Sequence, residues 1–214
     1  MNVDAVLFDL DGTLADTLVD IADSMNQVFA AHGLPTYSHL AYRRHVGEGV
    51  VRLVARLAPS ATHLVDQLVV EFGSAYADRL LHNTLPYPGI PELVSALRER
   101  SIPMAVLSNK PEWATQKIVS SLFPAVRFAA VVGFREEVPR KPDPTSALAI
   151  ARQIGAPPPA CALIGDTAID MKTAAAAGMV PVGVTWGFRD RAELVDAGAA
   201  VLLETPAQFL DLLS

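Results

Sequence analysis

Apolar residues crowd together without alternation at Val6-Leu7-Phe8, and Asp9, Leu10 and Asp11 carry the run into Gly12. A short unbroken apolar stretch bounded by a turn residue predicts a strand buried on both faces. Past Leu14 the spacing changes to threes and fours. Leu18, Ile21, Ala22, Met25, Val28 and Phe29 fall on one helical face, and Gly33-Leu34-Pro35 ends it. Asp16 and Thr17 are the candidate N-caps of that helix. Helical spacing continues over 40–46, 50–57 and 62–81, with no convincing strand before residue 83.

From Pro88 the pattern alternates. Helices over 91–100, 111–122, 144–154 and 168–177 are interleaved with short apolar runs at 102–107, 128–132, 162–164, 180–184 and, more weakly, 200–203. Such alternation predicts a parallel sheet covered by helices on both faces. The expected fold is α/β, with a doubly wound, Rossmann-like core built from 1–14 and 84–214. An all-helical insert at 15–83 follows the first strand.

Composition narrows what such a fold can serve. Apolar residues make up 51% of the 214, enough for a sizeable core. A formal net charge of −6, with no basic run, argues against a nucleic-acid or anionic-membrane surface. The single cysteine, Cys161, excludes an internal disulfide and a Cys-rich metal site, and it suits a reducing compartment. The longest uncharged stretch, 173–188, is interrupted by Gly178, Pro181 and Gly183 and is too broken to span a bilayer. The N-terminus runs directly into a strand pattern with no signal-like segment, so a cytoplasmic location is expected. All five histidines fall in the helical insert without the i,i+4 spacing of a metal pair, and they read as solvated helix-face residues.

Candidate chemistry collects at the strand ends. In an extended chain residues i and i+2 share a side, so Asp9 and Asp11 are expected to occupy one small space. That is tolerable only with a cation or a proton between them. Ser108-Asn109 follows a strand and Lys110-Pro111 opens the next helix, so the pair reads as a helix cap or as an anion site. In Lys141-Pro142-Asp143-Pro144, Asp143 suits an N-cap and Pro144 the first helical position. Lys141 is then either a solvated loop lysine or one that faces an anion. Asp166 is expected at the tip of strand 162–164, with Asp170 one helical turn on. Asp9, Asp11, Asp166, Lys141 and Ser108 would converge on one sheet edge, a set suited to Mg2+ and a phosphate ester.

Taken in order, Asp9-Leu10-Asp11-Gly12-Thr13, Ser108-Asn109, Lys141-Pro142 and Gly165-Asp166-Thr167-Ala168-Ile169-Asp170 resemble the four motifs of the haloacid-dehalogenase-like hydrolase superfamily. The resemblance implies a nucleophilic Asp9 that forms an aspartyl-phosphate, with Asp11 as general acid and then general base. It implies that Ser108, Asn109 and Lys141 bind phosphate. Mg2+ would be held by Asp9, the Asp11 backbone carbonyl and Asp166, with Asp170 in support. The insert resembles the superfamily's mobile cap. Val46-Gly47-Glu48-Gly49-Val50, Tyr87-Pro88-Gly89, Ser108-Asn109-Lys110-Pro111 and Trp186-Gly187-Phe188 are similar to segments of its phosphoglycolate phosphatase group, which implies 2-phosphoglycolate as substrate. The alanine run 174–177 departs from that group's usual polar residue. Gly47 and Gly49 read equally as a plain turn or as a loop closing on the site, where Arg44 or Arg52 would meet the substrate carboxylate.

A nonspecific sugar- or nucleotide-phosphate phosphatase of the same superfamily is the main alternative. A phosphoacceptor signalling domain is the alternative from another class, disfavoured by the second acid at Asp11 and by the insert. The chain lacks G-x-x-x-x-G-K-[ST] and G-x-S-x-G, which excludes a P-loop kinase and a serine hydrolase. The expected partner is a small phosphorylated substrate, with no nucleic acid and no membrane; oligomeric state is not read from these features.

Overall fold

The computed structural model describes residues 3–213. The chain opens with β1 (Ala5–Phe8), all four residues buried, and a two-residue β2 (Ala15–Asp16). Helices α1 (Leu18–Ala31), α2 (His39–Arg43) and α3 (Val50–Leu57), a 3-10 segment at Pro59–Leu64, and α4 (Val65–Arg79) follow. Next, β3 (Leu85–Pro86) pairs antiparallel with β2, so the helical segment departs and returns at one short ribbon. The remainder alternates: α5 (Ile90–Glu99), β4 (Met104–Pro111), α6 (Glu112–Leu122), β5 (Ala130–Phe134), α7 (Thr145–Ile154), β6 (Cys161–Gly165) and α8 (Ala168–Ala177). It ends with β7 (Val180–Val184), α9 (Arg191–Asp196), β8 (Val201–Leu203) and α10 (Ala207–Asp211).

Six strands form one parallel sheet in the order β5-β4-β1-β6-β7-β8. β1 lies between β4 and β6, with Phe8 in register with Val106 on one side and Ile164 on the other. The chain runs outward from β1 in both directions, so the crevice beside its carboxyl end is where an open α/β sheet takes ligands. Alternate side chains serve opposite faces. Val6, Phe8, Val106 and Ile164 join Leu93 of α5 and Ile118 of α6, while Leu7, Leu107 and Leu163 join Ile150 of α7 and Ala174 of α8. The first of these clusters also takes in Leu14 and, from the helical segment, Met25, Phe29 and Leu68. No helix among the described residues is long and apolar enough to cross a membrane.

The structure departs from the sequence reading at the ends of elements. β4 runs on to Pro111, so Ser108, Asn109 and Lys110 sit in extended backbone, and the helix starts at Glu112. A register shift between Leu107 and Pro111 marks the extension. Helix α7 begins one residue later than expected, although Asp143 still accepts the Thr145 N–H at 2.9 Å. Thr17 stands at the N-cap position of α1 without capping it. The Asp16 carboxylate accepts the Leu18 N–H at 3.1 Å instead, and the Thr17 hydroxyl is used elsewhere.

Candidate active site

The loop after β1 is wound tightly. Asp9 donates its N–H to Ile164 O at 2.9 Å, which keeps it aligned with β6, while Leu10 O collects the N–H groups of Thr13, Leu14 and Ala15. Gly12 turns the chain with φ +83, and a side chain there would run into the Asp166 carboxylate. The extended strand stops at Phe8, and Asp9 and Asp11 both line one cavity while bonding to different partners. Asp9 Oδ1 accepts from Leu10 N at 2.7 Å and pairs with Lys141 Nζ at 3.0 Å. Asp11 accepts from the Thr17 hydroxyl at 2.6 Å and from Lys110 Nζ at 2.8 and 3.1 Å. Each carboxylate has its own lysine.

Ser108, Asn109 and Lys110 reach the site from the end of β4. Ser108 lines the same cavity as Asp9 and Asp11, and its Oγ accepts the Lys110 N–H at 3.3 Å. Asn109 acts as a bracket. Its Oδ1 accepts Lys141 N–H at 2.9 Å, and its Nδ2 donates to Lys141 O at 3.1 Å and Gly47 O at 3.2 Å. Lys141 is buried, and besides Asp9 it pairs with Asp170 Oδ1 at 2.6 Å.

The end of β6 supplies the remaining acids. Asp166 is fully buried; Oδ2 accepts the Phe188 N–H at 2.7 Å and Oδ1 the Thr13 hydroxyl at 3.3 Å. Asp170 caps α8, accepting from Thr167 N at 3.1 Å and Thr167 Oγ at 2.6 Å. Ligand oxygens of Asp9, Asp166 and Asp170 lie within 4.8 Å of one another. Burial, partly offset by Lys141 and reinforced by Asp170 and Asp11, pushes the Asp9 carboxyl up to about 7. Burial, with Asp170 and Asp9 adding repulsion, raises Asp166 well above the usual carboxylate range. Burial alone would lower Lys141 and Lys110, but their carboxylate partners outweigh it and hold both ammonium groups charged. One lysine pairs with two of the three buried carboxylates, Asp9 and Asp170, and leaves an excess of hard oxygen donors that fits a divalent cation such as Mg2+.

A cavity of about 250 Å³ opens from Asp9, Asp11, Ser108 and Lys110 onto an apolar wall that includes Leu53, Phe72, Tyr76 and Trp113. Gly47 and Gly49 border it, both at positive φ (+119 and +90). Arg44 and Arg52 line a different cavity, of about 420 Å³, together with Arg140, Lys172 and Arg189. Arg52 also pairs with Glu48.

Sequence reasoning gave no role in the site to Lys110, Thr17 or the Gly187-Phe188 segment; it read Thr17 as a candidate N-cap, and Lys110 and Gly187-Phe188 as parts of segments that carry the family resemblance. A lysine at an apparent helix start is unfavourable unless an anion faces it, and that signal was available for Lys110 as it was for Lys141. Nothing local announces that Trp186 Nε1 donates to Thr13 O at 3.1 Å or that Phe188 N–H reaches Asp166.

The model of the haloacid dehalogenase-like hydrolase family matches residues 3–178. A phosphoglycolate phosphatase of Chromobacterium violaceum is 30% identical over 218 residues, covering 99% of this chain and 97% of the relative. One of Mesorhizobium japonicum is 32% identical, covering 89% and 86%. A crystal structure from Lactobacillus delbrueckii subsp. bulgaricus, described as a candidate phosphoglycolate phosphatase, superposes with a TM-score of 0.93 at 31% identity, covering 99% of this chain and 98% of that one.

Proposed function

The chain belongs to the haloacid dehalogenase-like hydrolase family, and from that premise we propose that it hydrolyses a small phosphate monoester, 2-phosphoglycolate first among them. Asp9 is the nucleophile. Its carboxylate oxygen attacks phosphorus, the bond from phosphorus to the ester oxygen breaks, and Asp11 delivers a proton to the leaving oxygen. Water then attacks the aspartyl-phosphate, Asp11 takes a proton from it, and inorganic phosphate leaves with Asp9 regenerated. Lys141 and Ser108 hold phosphoryl oxygens, and Asn109 fixes the Lys141 backbone from both sides. Asp9, the Asp11 backbone carbonyl and Asp166, with Asp170 in support, would hold Mg2+, which when bound would neutralise phosphoryl charge; side-chain oxygens of Asp9, Asp166 and Asp170 lie within 4.8 Å of one another.

The observation that carries this reading is the division of labour between the two aspartates. Asp9 belongs to the acidic trio with Lys141, whereas Asp11, in the same cavity, is bonded to Lys110 and Thr17. A nucleophile and a proton donor need separate environments to do opposite things with a proton. Residues 15–83 act as a cap over the core of 1–14 and 84–214, with the β2–β3 ribbon at the two crossings between them. The lone buried Cys161 agrees with a reducing compartment, and the reading places the enzyme in the cytoplasm.

The test is phosphate release from 2-phosphoglycolate, sugar phosphates and nucleotides, with Mg2+ and with EDTA. Mg2+-dependent turnover led by 2-phosphoglycolate in kcat/KM supports the reading. A flat profile favours a broad phosphatase, and one stoichiometric phosphorylation without turnover favours a phosphoacceptor.

A further inference from the structure

Tyr76 lies on α4, 2% exposed, with its ring stacked on Phe72 at 5.2 Å. Among the described residues, its hydroxyl is the one buried side-chain polar atom that completes no well-formed hydrogen bond, with Lys110 beside it. Native interiors rarely leave such a group unsatisfied, because a buried phenol forfeits its bond to water and receives little in return. Tyr76 is one of the residues lining the cavity that holds Asp9 and Asp11. Lys110 Nζ lies 4.8 Å from the Tyr76 ring centroid. The ammonium has three N–H groups; two reach the Asp11 carboxylate, and Tyr76 is the other polar group beside it.

Lys110 is also the single cation among the described residues lining this cavity; its wall beyond the phosphoryl end is otherwise apolar apart from Tyr76. Arg44 and Arg52 line the other cavity. An anionic group on the leaving alcohol therefore finds two donors here, the phenol and the lysine, and apolar surface around them. We propose that Tyr76 Oη and Lys110 Nζ together bind a carboxylate carried on the carbon next to the ester, so that Tyr76 selects phosphorylated 2-hydroxy acids over simple alkyl phosphates. This rests on the hydrolase reading above and assigns the acid-binding part of that site.

Ethyl phosphate is the matched control for 2-phosphoglycolate, since it replaces the carboxylate by a methyl group and keeps the ester. The experiment compares kcat/KM for the two esters in wild type and Tyr76→Phe, in Mg2+, and measures the Tm of both proteins. The expected result is that the preference for 2-phosphoglycolate over ethyl phosphate falls at least about tenfold, mainly through KM, with a Tm equal to or above that of wild type. The Tm readout separates binding from structure, because a hydroxyl that held the fold together would lower Tm when removed. An unchanged preference, an equal loss on both esters, or a lowered Tm overturns the assignment. A wild type that cleaves ethyl phosphate and not 2-phosphoglycolate overturns it too, while leaving the hydrolase reading intact. A wild type inactive on both esters overturns both.

Discussion

Asp11 and Lys110 lie 99 residues apart in the chain and meet at 2.8 Å, with side-chain exposures of 11% and 4%. A buried pair of this kind is weak evidence of net stabilisation, but breaking it from one side leaves an uncompensated charge in the interior. Lys110→Met is therefore expected to destabilise the fold by about 3–5 kcal/mol. The double variant Asp11→Asn with Lys110→Met should recover much of that loss. Urea unfolding of the four proteins in the cycle measures the coupling, and additive losses would show that the pair is not energetically linked.

Asp166 is held in place by close backbone contact as well as by hydrogen bonds. A methyl group on Gly187 would collide with the Asp166 side chain and the Gly12 carbonyl oxygen. Gly187→Ala should weaken Mg2+ affinity by at least about tenfold while the far end of the sheet stays folded. Calorimetric titration with Mg2+ reads this directly. Unchanged affinity would show that Asp166 does not serve the metal from this position.

Stability should depend on pH and Mg2+ together. Burial raises Asp9 from 3.8 to about 7, with Lys141 opposing and Asp170 reinforcing, and burial raises Asp166 as well. A raised carboxyl keeps its proton in the folded state after the unfolded chain has released it. The contribution of Asp9 is thus present below about pH 3.8 and lost as pH rises towards 7. Mg2+ relieves this by replacing the proton, so the Tm gain on adding Mg2+ should be larger at about pH 8 than at about pH 5. Thermal melts with and without the ion check it; a gain that shrinks with pH would contradict the acidic trio as the metal site.

The parts of this arrangement legible in the sequence are those set by local pattern. The buried runs of β1, β6 and β7 and the helix 168–177 follow from apolar spacing and from Gly178 at the helix end. The β2–β3 ribbon was not legible, because two residues per strand carry no period. The extension of β4 through Lys110 was masked by Pro111, which reads as a helix start when β5 is not yet known to pair there. Asn109 reads from the sequence as a phosphate ligand, while its bonds to residues 47 and 141 carry no local signal because they depend on three segments meeting. Tyr76 gave no signal, since an aromatic residue on a helix face reads as core until its hydroxyl is found to complete no well-formed hydrogen bond.

The most direct test of the mechanism is phosphate release from 2-phosphoglycolate by Asp9→Asn in Mg2+, with circular dichroism and Tm recorded on the same sample. Asparagine preserves the size of the side chain and removes the oxygen that attacks phosphorus. A folded variant whose turnover falls by more than about a thousandfold is the predicted result. A folded variant that releases phosphate within about tenfold of wild type would contradict a nucleophilic Asp9.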